Sequence, residues 1–238
     1  MHSWDTFGTH DGPGIRFVLF LQGCPGRCLY CQNPDTWPLK GGKLFPADKI
    51  FEKVKFFLPY MQASGGGVTV SGGEPLLQVD FLIDFFKLCC RAKIHTCIDT
   101  AGLVKSFSKE KLFKLFKVTD LFLLDIKAIT PSIHQKICGF SFNQTEEFLN
   151  QLEQAKKPYW LRYVLVPGIN DSAVELKKLK ALVKPLQSCQ NIEFLPYHAL
   201  GKHKWEALKI PYPLKNTRSA TQKDISRAQG IVGLVKKN

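Results

Sequence analysis

A chain of 238 residues, 45% of them hydrophobic, holds enough apolar material for one sizeable core. Its 33 basic and 20 acidic residues give a net charge of +13, yet no aromatic stacking motif interleaves with the lysines, so the excess reads as solvated surface and nucleic acid is not expected as a partner. No apolar run is long enough to span a bilayer and Met1–Asp5 lacks the basic and apolar regions of a signal peptide, so a cytoplasmic location without membrane attachment is expected.

Residues 5–14 (DTFGTHDGPG) form a turn-rich approach to a first strand, Ile15–Leu21, whose unbroken apolar run is of the buried type. The loop QGCPGRCLYCQN (22–33) leaves the C-terminal end of that strand. Gly41-Gly42 closes the loop, and Pro46 opens a helix with Ile50, Val54, Phe57 and Leu58 on one face. A second strand, 65–71, ends in Ser71-Gly-Gly-Glu-Pro75, and a helix follows over Val79–Arg91.

Ile94–Thr100 is a third strand, ending in Asp99-Thr100, and Ser108 caps the next helix. Leu121–Ile126 is a fourth, ending in Asp125-Ile126-Lys127. Thr145 is placed as the cap of a helix carrying Phe148, Leu149 and Leu152. Tyr159–Val166 makes a fifth strand, stopped by Pro167-Gly168. Ser172 and Glu175 form a capping box for a helix with Leu176, Leu179 and Leu182. Asn191–Leu195 is a sixth strand, ending in Pro196-Tyr197-His198, and a last helix spans Ala220–Val235.

Strands that alternate with helices argue for an α/β fold with parallel strands and crossover helices. Nothing divides the chain, so residues 1–238 read as one domain, with a core over 5–208 and a basic helix and tail over 209–238. Pattern alone leaves a doubly wound sheet and a barrel open. Polar or glycine-rich groups at the C-terminal end of every strand favour the barrel, whose enzymes gather their chemistry at that face.

Three cysteines, Cys24, Cys28 and Cys31, share the loop after strand one. A short loop turns three thiolates toward one point, which suits an iron–sulfur cluster or zinc. A closed zinc site wants a fourth ligand, for which His2 and His10 are candidates. Cys89, Cys90, Cys97, Cys138 and Cys189 show no metal-type spacing and read as ordinary core or surface residues. Ser71-Gly-Gly-Glu74 offers unobstructed backbone N–H groups and one carboxylate, a pairing that fits a zwitterion. Asp99, Asp125 and His198 end neighbouring strands, and Arg162, buried by pattern, wants an anion.

The C-x3-C-x2-C spacing after strand one, with Tyr30 before the last cysteine, resembles the radical S-adenosylmethionine superfamily. Gly12-Pro-Gly-Ile-Arg16, ASGGGVTVSGGE (63–74), HTCIDT (95–100), RYVLVPG (162–168) and LPYHALGKHKW (195–205) narrow the likeness to activating enzymes of glycyl radical enzymes, of the type serving pyruvate formate-lyase. The absence of cysteine between Cys31 and Ser71 resembles the compact members that lack a ferredoxin-like insert.

The resemblance implies a partial (β/α)6 TIM-like barrel and a [4Fe–4S] cluster on Cys24, Cys28 and Cys31, with S-adenosyl-L-methionine on the open iron. One electron then cleaves the sulfonium, and the resulting 5′-deoxyadenosyl radical takes an α-hydrogen from a glycine of the partner. By the same likeness Tyr30, Cys31 and Gln32 lie along the cofactor, Gly73 and Glu74 hold its methionine end, and Asp125, Ile126, Lys127 and His198 meet its carboxylate, ribose or adenine. Asp99, Thr100 and Asp125 resemble a monovalent-cation site, and Asp11 and Arg162 receive the partner's glycine loop. The implied partners are pyruvate formate-lyase and a flavodoxin or ferredoxin as electron donor, with the chain a monomer. Three features depart from the pattern: Gln32 replaces a usual histidine, Ala101 replaces a usual asparagine, and the chain starts short of a preceding edge strand. A compact small-molecule enzyme of the 7-carboxy-7-deazaguanine-synthase kind is the alternative within the superfamily. A zinc-stabilised nucleic-acid-binding module is the alternative outside it.

Overall fold

The computed structural model describes residues 1–103 and 108–233. In chain order the elements are β1 (Ser3–Gly8), β2 (Arg16–Leu21), α1 (Ala47–Lys55), α2 (Leu58–Ser64), β3 (Gly67–Gly72), α3 (Val79–Arg91), β4 (His95–Thr100) and α4 (Lys109–Val118). They continue with β5 (Leu121–Asp125), α5 (Pro131–Cys138), α6 (Phe142–Gln154), β6 (Tyr159–Leu165), α7 (Ala173–Val183), β7 (Cys189–Pro196), α8 (Lys202–Ala207) and α9 (Gln222–Val232).

The strands form one sheet in sequential order from β1 to β7, with β2 to β7 parallel and β1 antiparallel to β2. A doubly wound sheet requires a reversal of strand order, and none occurs. Crossovers of one hand then place the main connecting helices on the same face, so the sheet curls as a partial TIM-like barrel, while α5 and α8 pack with the cysteine loop. The side chains follow this division. Phe17, Leu19, Val68, Val70, Ile98, Phe122, Leu124, Leu161 and Leu165 pack with helix residues such as Leu82, Phe86, Leu115, Leu149 and Leu179. The alternate positions, including Arg16, Thr69, Ser71, Cys97, Asp99, Leu123, Asp125, Arg162 and Glu193, stand on the concave face, in line with the period-two geometry of strands.

Several local expectations are corrected. An edge strand does precede β2: residues 3–8 pair Ser3 with Phe20 and Gly8 with Arg16, so residues 5–8 belong to a strand and not to a turn. Its side chains are only half-buried and a bulge interrupts its register, which erases the alternation a reader looks for. The helix after Pro46 stops at Lys55, and Pro59 near the start of α2 makes Phe57 and Leu58 part of the next element. Helix α5, opened by Pro131 and closed by Gly139 in the left-handed region, goes unseen in the sequence.

Ser141, not Thr145, caps α6; Thr145 lies inside the helix and its hydroxyl donates to Ala101 O at 2.8 Å. Ser172 accepts from Glu175 N as expected, but the Glu175 carboxylate turns away from the box to accept from Ile129 N, Thr130 N and Thr130 Oγ1. A full capping box instead opens α9, between Thr221 and Asp224. Ile225, Ala228 and Val232 of α9 join the main core, so that helix is no loose tail. The expected extension of the last helix to Val235 lies outside the described residues.

Candidate active site

A cavity of about 520 Å³ opens at the C-terminal ends of the parallel strands. Each strand end contributes: Cys24, Cys28, Tyr30, Cys31 and Gln32 after β2, Gly73 and Glu74 after β3, Asp99 and Thr100 from β4, Asp125 and Lys127 from β5, Arg162 from β6, and His198 after β7. Two of the residues singled out in the sequence stand apart from this wall. Ile126 is fully buried in the helix-facing core, with its N–H donated to Arg162 O. Asp11 lies outside the lining, although its neighbour His10 belongs to it.

The cysteine loop is held from several sides. Gly23 N donates to Thr36 O, Arg27 N to Cys138 O and Leu29 N to Ile137 O, and Trp205 Nε1 caps Cys31 O at 2.9 Å. A Cβ on Gly73 would stand 2.1 Å from Gly23 O and 3.3 Å from Cys24 Cβ, so only glycine lets β3 approach the loop this closely. Gln32 Nε2 donates to Tyr30 O at 3.3 Å and to His198 O at 3.2 Å, tying the loop to the end of β7.

Burial pushes the Cys31 thiol up to about 11, aided by Cys28, and burial with the charges of Glu74 and Cys28 pushes Cys24 higher still. Burial raises Cys28 as well, against the pull of Lys127. Three such thiols ionise together only beside a concentrated positive charge, which the irons of a cluster provide. The donor set is all sulfur and therefore fits iron–sulfur chemistry. Among the described residues no group of three or more His, Cys, Asp or Glu converges on a single-ion site, and His2 faces Asp35 instead at 3.2 Å. Of the two candidate fourth ligands, His10 lines the cavity that holds the three cysteines and His2 does not.

The expectation for Ser71-Gly-Gly-Glu74 needs correction. Its N–H groups are not free: Gly73 N donates to Leu21 O and Glu74 N to Gly23 O. Nor is the Glu74 carboxylate an open acceptor. It is buried and accepts from Thr100 Oγ1 at 2.5 Å, Leu76 N at 3.1 Å, Ala101 N at 3.1 Å and Leu103 N at 3.3 Å. Glu74 is the post that ties the end of β3 to the turn after β4. The Thr100 hydroxyl is committed to the same carboxylate and accepts from Gly102 N.

Charge in the cavity is arranged in pairs. Arg162 Nη1 lies 3.2 Å from Asp99 Oδ1, and its Nε lies 3.7 Å from Glu193 Oε2. Asp99 Oδ2 accepts from Ser71 Oγ at 2.8 Å. Burial raises the Asp99 carboxyl while Arg162 lowers it; burial opposes the Arg162 charge, and Asp99, Asp125 and Glu193 more than offset that. Lys127 pairs with Asp125, and against the penalty of burial that carboxylate holds the lysine well above its ordinary value.

Buried polar atoms in folded proteins nearly always find a partner. Among the described residues the side-chain atoms that are buried without a hydrogen bond are Tyr30 Oη, Asp99 Oδ1, Arg162 Nε, His198 Nδ1 and Gln144 Oε1. All but the last belong to residues lining the cavity. Asp99 Oδ1 and Arg162 Nε keep the ion pairs just described, which leaves Tyr30 Oη and His198 Nδ1 as the cavity's atoms with neither kind of partner, a pair of polar groups open to a ligand beside the three thiols.

Two supports escaped the sequence reading. Asn170, fully buried, receives Val166 N on Oδ1 and donates from Nδ2 to Lys127 O and Val164 O, fixing the turn that carries Lys127. Glu175 fastens the next residues of the same turn. An asparagine two residues beyond a Pro-Gly stop was the available signal, but nothing in the sequence says which carbonyls it meets.

The profile described as Radical SAM superfamily matches residues 18–179. The chain is 42% identical over 232 residues to the pyruvate formate-lyase 1-activating enzyme of Escherichia coli (strain K12), covering 98% of this chain and 94% of that one. It is 44% identical over 237 residues to the pyruvate formate-lyase-activating enzyme of Listeria monocytogenes serovar 1/2a, covering 98% and 95%. Among solved structures, a domain of pyruvate-formate lyase-activating enzyme from Bacteroides vulgatus superposes with a TM-score of 0.59 at 27% identity, over 72% of this chain and 98% of that chain. A radical SAM methyltransferase from Sphaerobacter thermophilus gives 0.68 at 14% identity, over 93% and 65%, a likeness of fold alone. With its cysteine loop, cavity and near-full-length relatives in agreement, the chain belongs to the radical SAM superfamily and, within it, to the pyruvate formate-lyase-activating enzymes.

Proposed function

We propose that this protein is an activase that removes an α-hydrogen atom from a glycine of pyruvate formate-lyase and leaves a glycyl radical there. The observation that carries the reading is the match, over 98% of this chain and 94% and 95% of the two relatives, to enzymes named for activating pyruvate formate-lyase. When bound, the [4Fe–4S] cluster and S-adenosyl-L-methionine supply a one-electron reductive cleavage that arms hydrogen-atom abstraction.

The protein's own residues bind, orient and exclude water. Cys24, Cys28 and Cys31 would hold the cluster. Tyr30, Gln32 and Gly73 form the wall along which the cofactor lies, and the unpartnered Nδ1 of His198 is available to its ribose or adenine edge. Lys127 offers an ammonium to the carboxylate end. Glu74, with its oxygens engaged, acts as a support for that wall. A monovalent cation at Asp99, Thr100 and Asp125 would compete with charges already in place, since Arg162 faces Asp99 and Lys127 faces Asp125. Arg162 and Asp11 would receive the glycine loop.

The reading treats residues 1–238 as one cytoplasmic, monomeric domain fed by a flavodoxin or ferredoxin. No helix among the described residues is long and apolar enough to cross a membrane. The test is anaerobic: cluster-loaded protein, S-adenosyl-L-methionine, a reductant and pyruvate formate-lyase are mixed and examined by EPR. A glycyl-radical signal on the partner, absent with Cys28→Ser, is the expected result. Cofactor cleavage without any such signal would overturn the reading in favour of a small-molecule substrate.

A further inference from the structure

The turn 9–14 folds from the end of β1 onto the concave face of the sheet. Glycines permit it: Gly12 and Gly14 have φ of +123° and +64°, and a Cβ on Gly14 would stand 2.5 Å from Gly66 N. A Cβ on Gly12 would reach Arg16 Nε at 3.5 Å and Cys97 Sγ at 3.7 Å, which places the turn directly over the β2 and β4 side chains.

Beneath the turn lies Arg16, fully buried and without a salt bridge among the described residues. All five of its N–H donors are spent. Nε donates to Thr69 Oγ1 at 2.9 Å, Nη1 to Pro13 O at 3.3 Å and His95 Nδ1 at 3.2 Å, and Nη2 to Val68 O at 2.5 Å and His95 O at 3.4 Å. Thr69 passes the contact on, its hydroxyl donating to Asp11 O at 2.6 Å. The guanidinium and the threonine therefore grip both sides of Gly12, at Asp11 and at Pro13.

A buried guanidinium lacking a carboxylate partner is an expensive way to fill space, since apolar residues of similar volume serve folding as well or better. What an apolar residue could not do is set the turn's position. The turn carries His10 into the cavity lining and leaves the Asp11 carboxylate within the field of Arg162 and free of hydrogen bonds from described residues.

We infer that Arg16 and Thr69 are positioning residues for the protein substrate, clamping turn 9–14 so that His10 and Asp11 meet the backbone of the glycine segment beside Arg162. The inference rests on the activase reading. It adds a floor to the site: cofactor groups come from the strand ends, while substrate register is set from below by a clamp that touches neither cofactor nor substrate.

The test uses full-length, cluster-loaded Thr69→Val, which deletes the bridging hydroxyl at nearly constant volume, with Thr69→Ser as the variant that keeps it. Thr69→Ala replaces the valine variant where the second methyl disturbs folding, as judged by the melting curve. Four quantities are measured: uncoupled S-adenosyl-L-methionine cleavage, glycyl-radical formation against partner concentration, equilibrium binding of the partner without reductant, and thermal stability. In Thr69→Val the KM and Kd for the protein substrate should rise about tenfold, with uncoupled cleavage unchanged and Thr69→Ser close to wild type. Wild-type KM and Kd in Thr69→Val overturn the inference, as does a loss of uncoupled cleavage in step with radical formation. A wild-type protein that installs no glycyl radical overturns the activase reading instead, and the inference falls with it.

Discussion

The ammonium of Lys127 lies 2.6 Å from Asp125 Oδ2 and also stands 5.6 Å over the ring of Tyr30, so one cation joins the end of β5 to the cysteine loop. Both partners are largely buried. Removing one member of such a pair strands the other. Lys127→Met is expected to lower unfolding stability by about 3 kcal/mol and to weaken S-adenosyl-L-methionine binding at least about tenfold. Asp125→Asn in the same chain should recover part of the stability and none of the binding. Denaturant melts and equilibrium dialysis decide it; unchanged affinity in Lys127→Met would remove the lysine from the cofactor site.

Gly73 is the tightest passage between β3 and the cysteine loop. In Gly73→Ala the methyl group would overlap Gly23 O, so the loop or the strand end must shift. The expected outcome is a folded protein, destabilised by about 2 kcal/mol or more, that takes up little iron on anaerobic reconstitution. Iron and sulfide analysis after gel filtration gives the answer. A variant that loads cluster like the parent would show that the loop tolerates displacement.

Gln32 joins Tyr30 O to His198 O through one amide. Gln32→Ala loses these neutral hydrogen bonds, a loss of about 1 kcal/mol, and releases the cavity wall at β7. Cluster absorption should survive while S-adenosyl-L-methionine affinity falls several-fold. Gln32→His, which restores a ring donor, is expected to lie between alanine and the parent. Affinity in the histidine variant below that of alanine would argue that the amide geometry itself is required.

His95 is held below the ordinary imidazole value, first by burial and then by the Arg16 guanidinium against its Nδ1; Asp120 pulls the other way. The unfolded chain therefore binds more protons between the folded pKa and about 6.5. Its contribution to stability is complete above about pH 6.5 and is lost as pH falls toward the folded pKa. The difference in unfolding free energy between wild type and His95→Gln should hold level from pH 7.5 to about pH 6.5 and shrink from there to pH 5. A difference independent of pH would show that His95 keeps its ordinary titration.

The strands β2 to β7 were legible because parallel strands covered by helices carry near-continuous apolar runs, as in Phe17–Leu21 and Leu121–Leu124. Their polar ends were legible too, and Cys31, Asp99, Asp125, Arg162 and His198 do meet in one cavity. Edge strand β1 was not legible: half of its side chains face solvent and a bulge interrupts its register, so it prints no period. The role of Glu74 was misread for a different reason. Sequence displays donors and acceptors but not their partners, and the four groups that claim this carboxylate come from the turns after β3 and β4. Arg16 was seen only as the end of a motif, because its five contacts span residues 13 to 95. Long-range satisfaction of polar groups is the part of a fold that local patterns do not carry.

Among the described residues the sequential sheet does not close: β1 and β7 are its two margins, with no ladder between them. A sealed cylinder can be entered only through its mouth, which admits small molecules or a chain terminus. A split one can be crossed sideways. A loop of a folded polypeptide has no end to thread, so on the activase reading its two flanks enter and leave by the same side. On the activase reading, the open margin between β1 and β7 is then a side from which a loop can be offered without being cut.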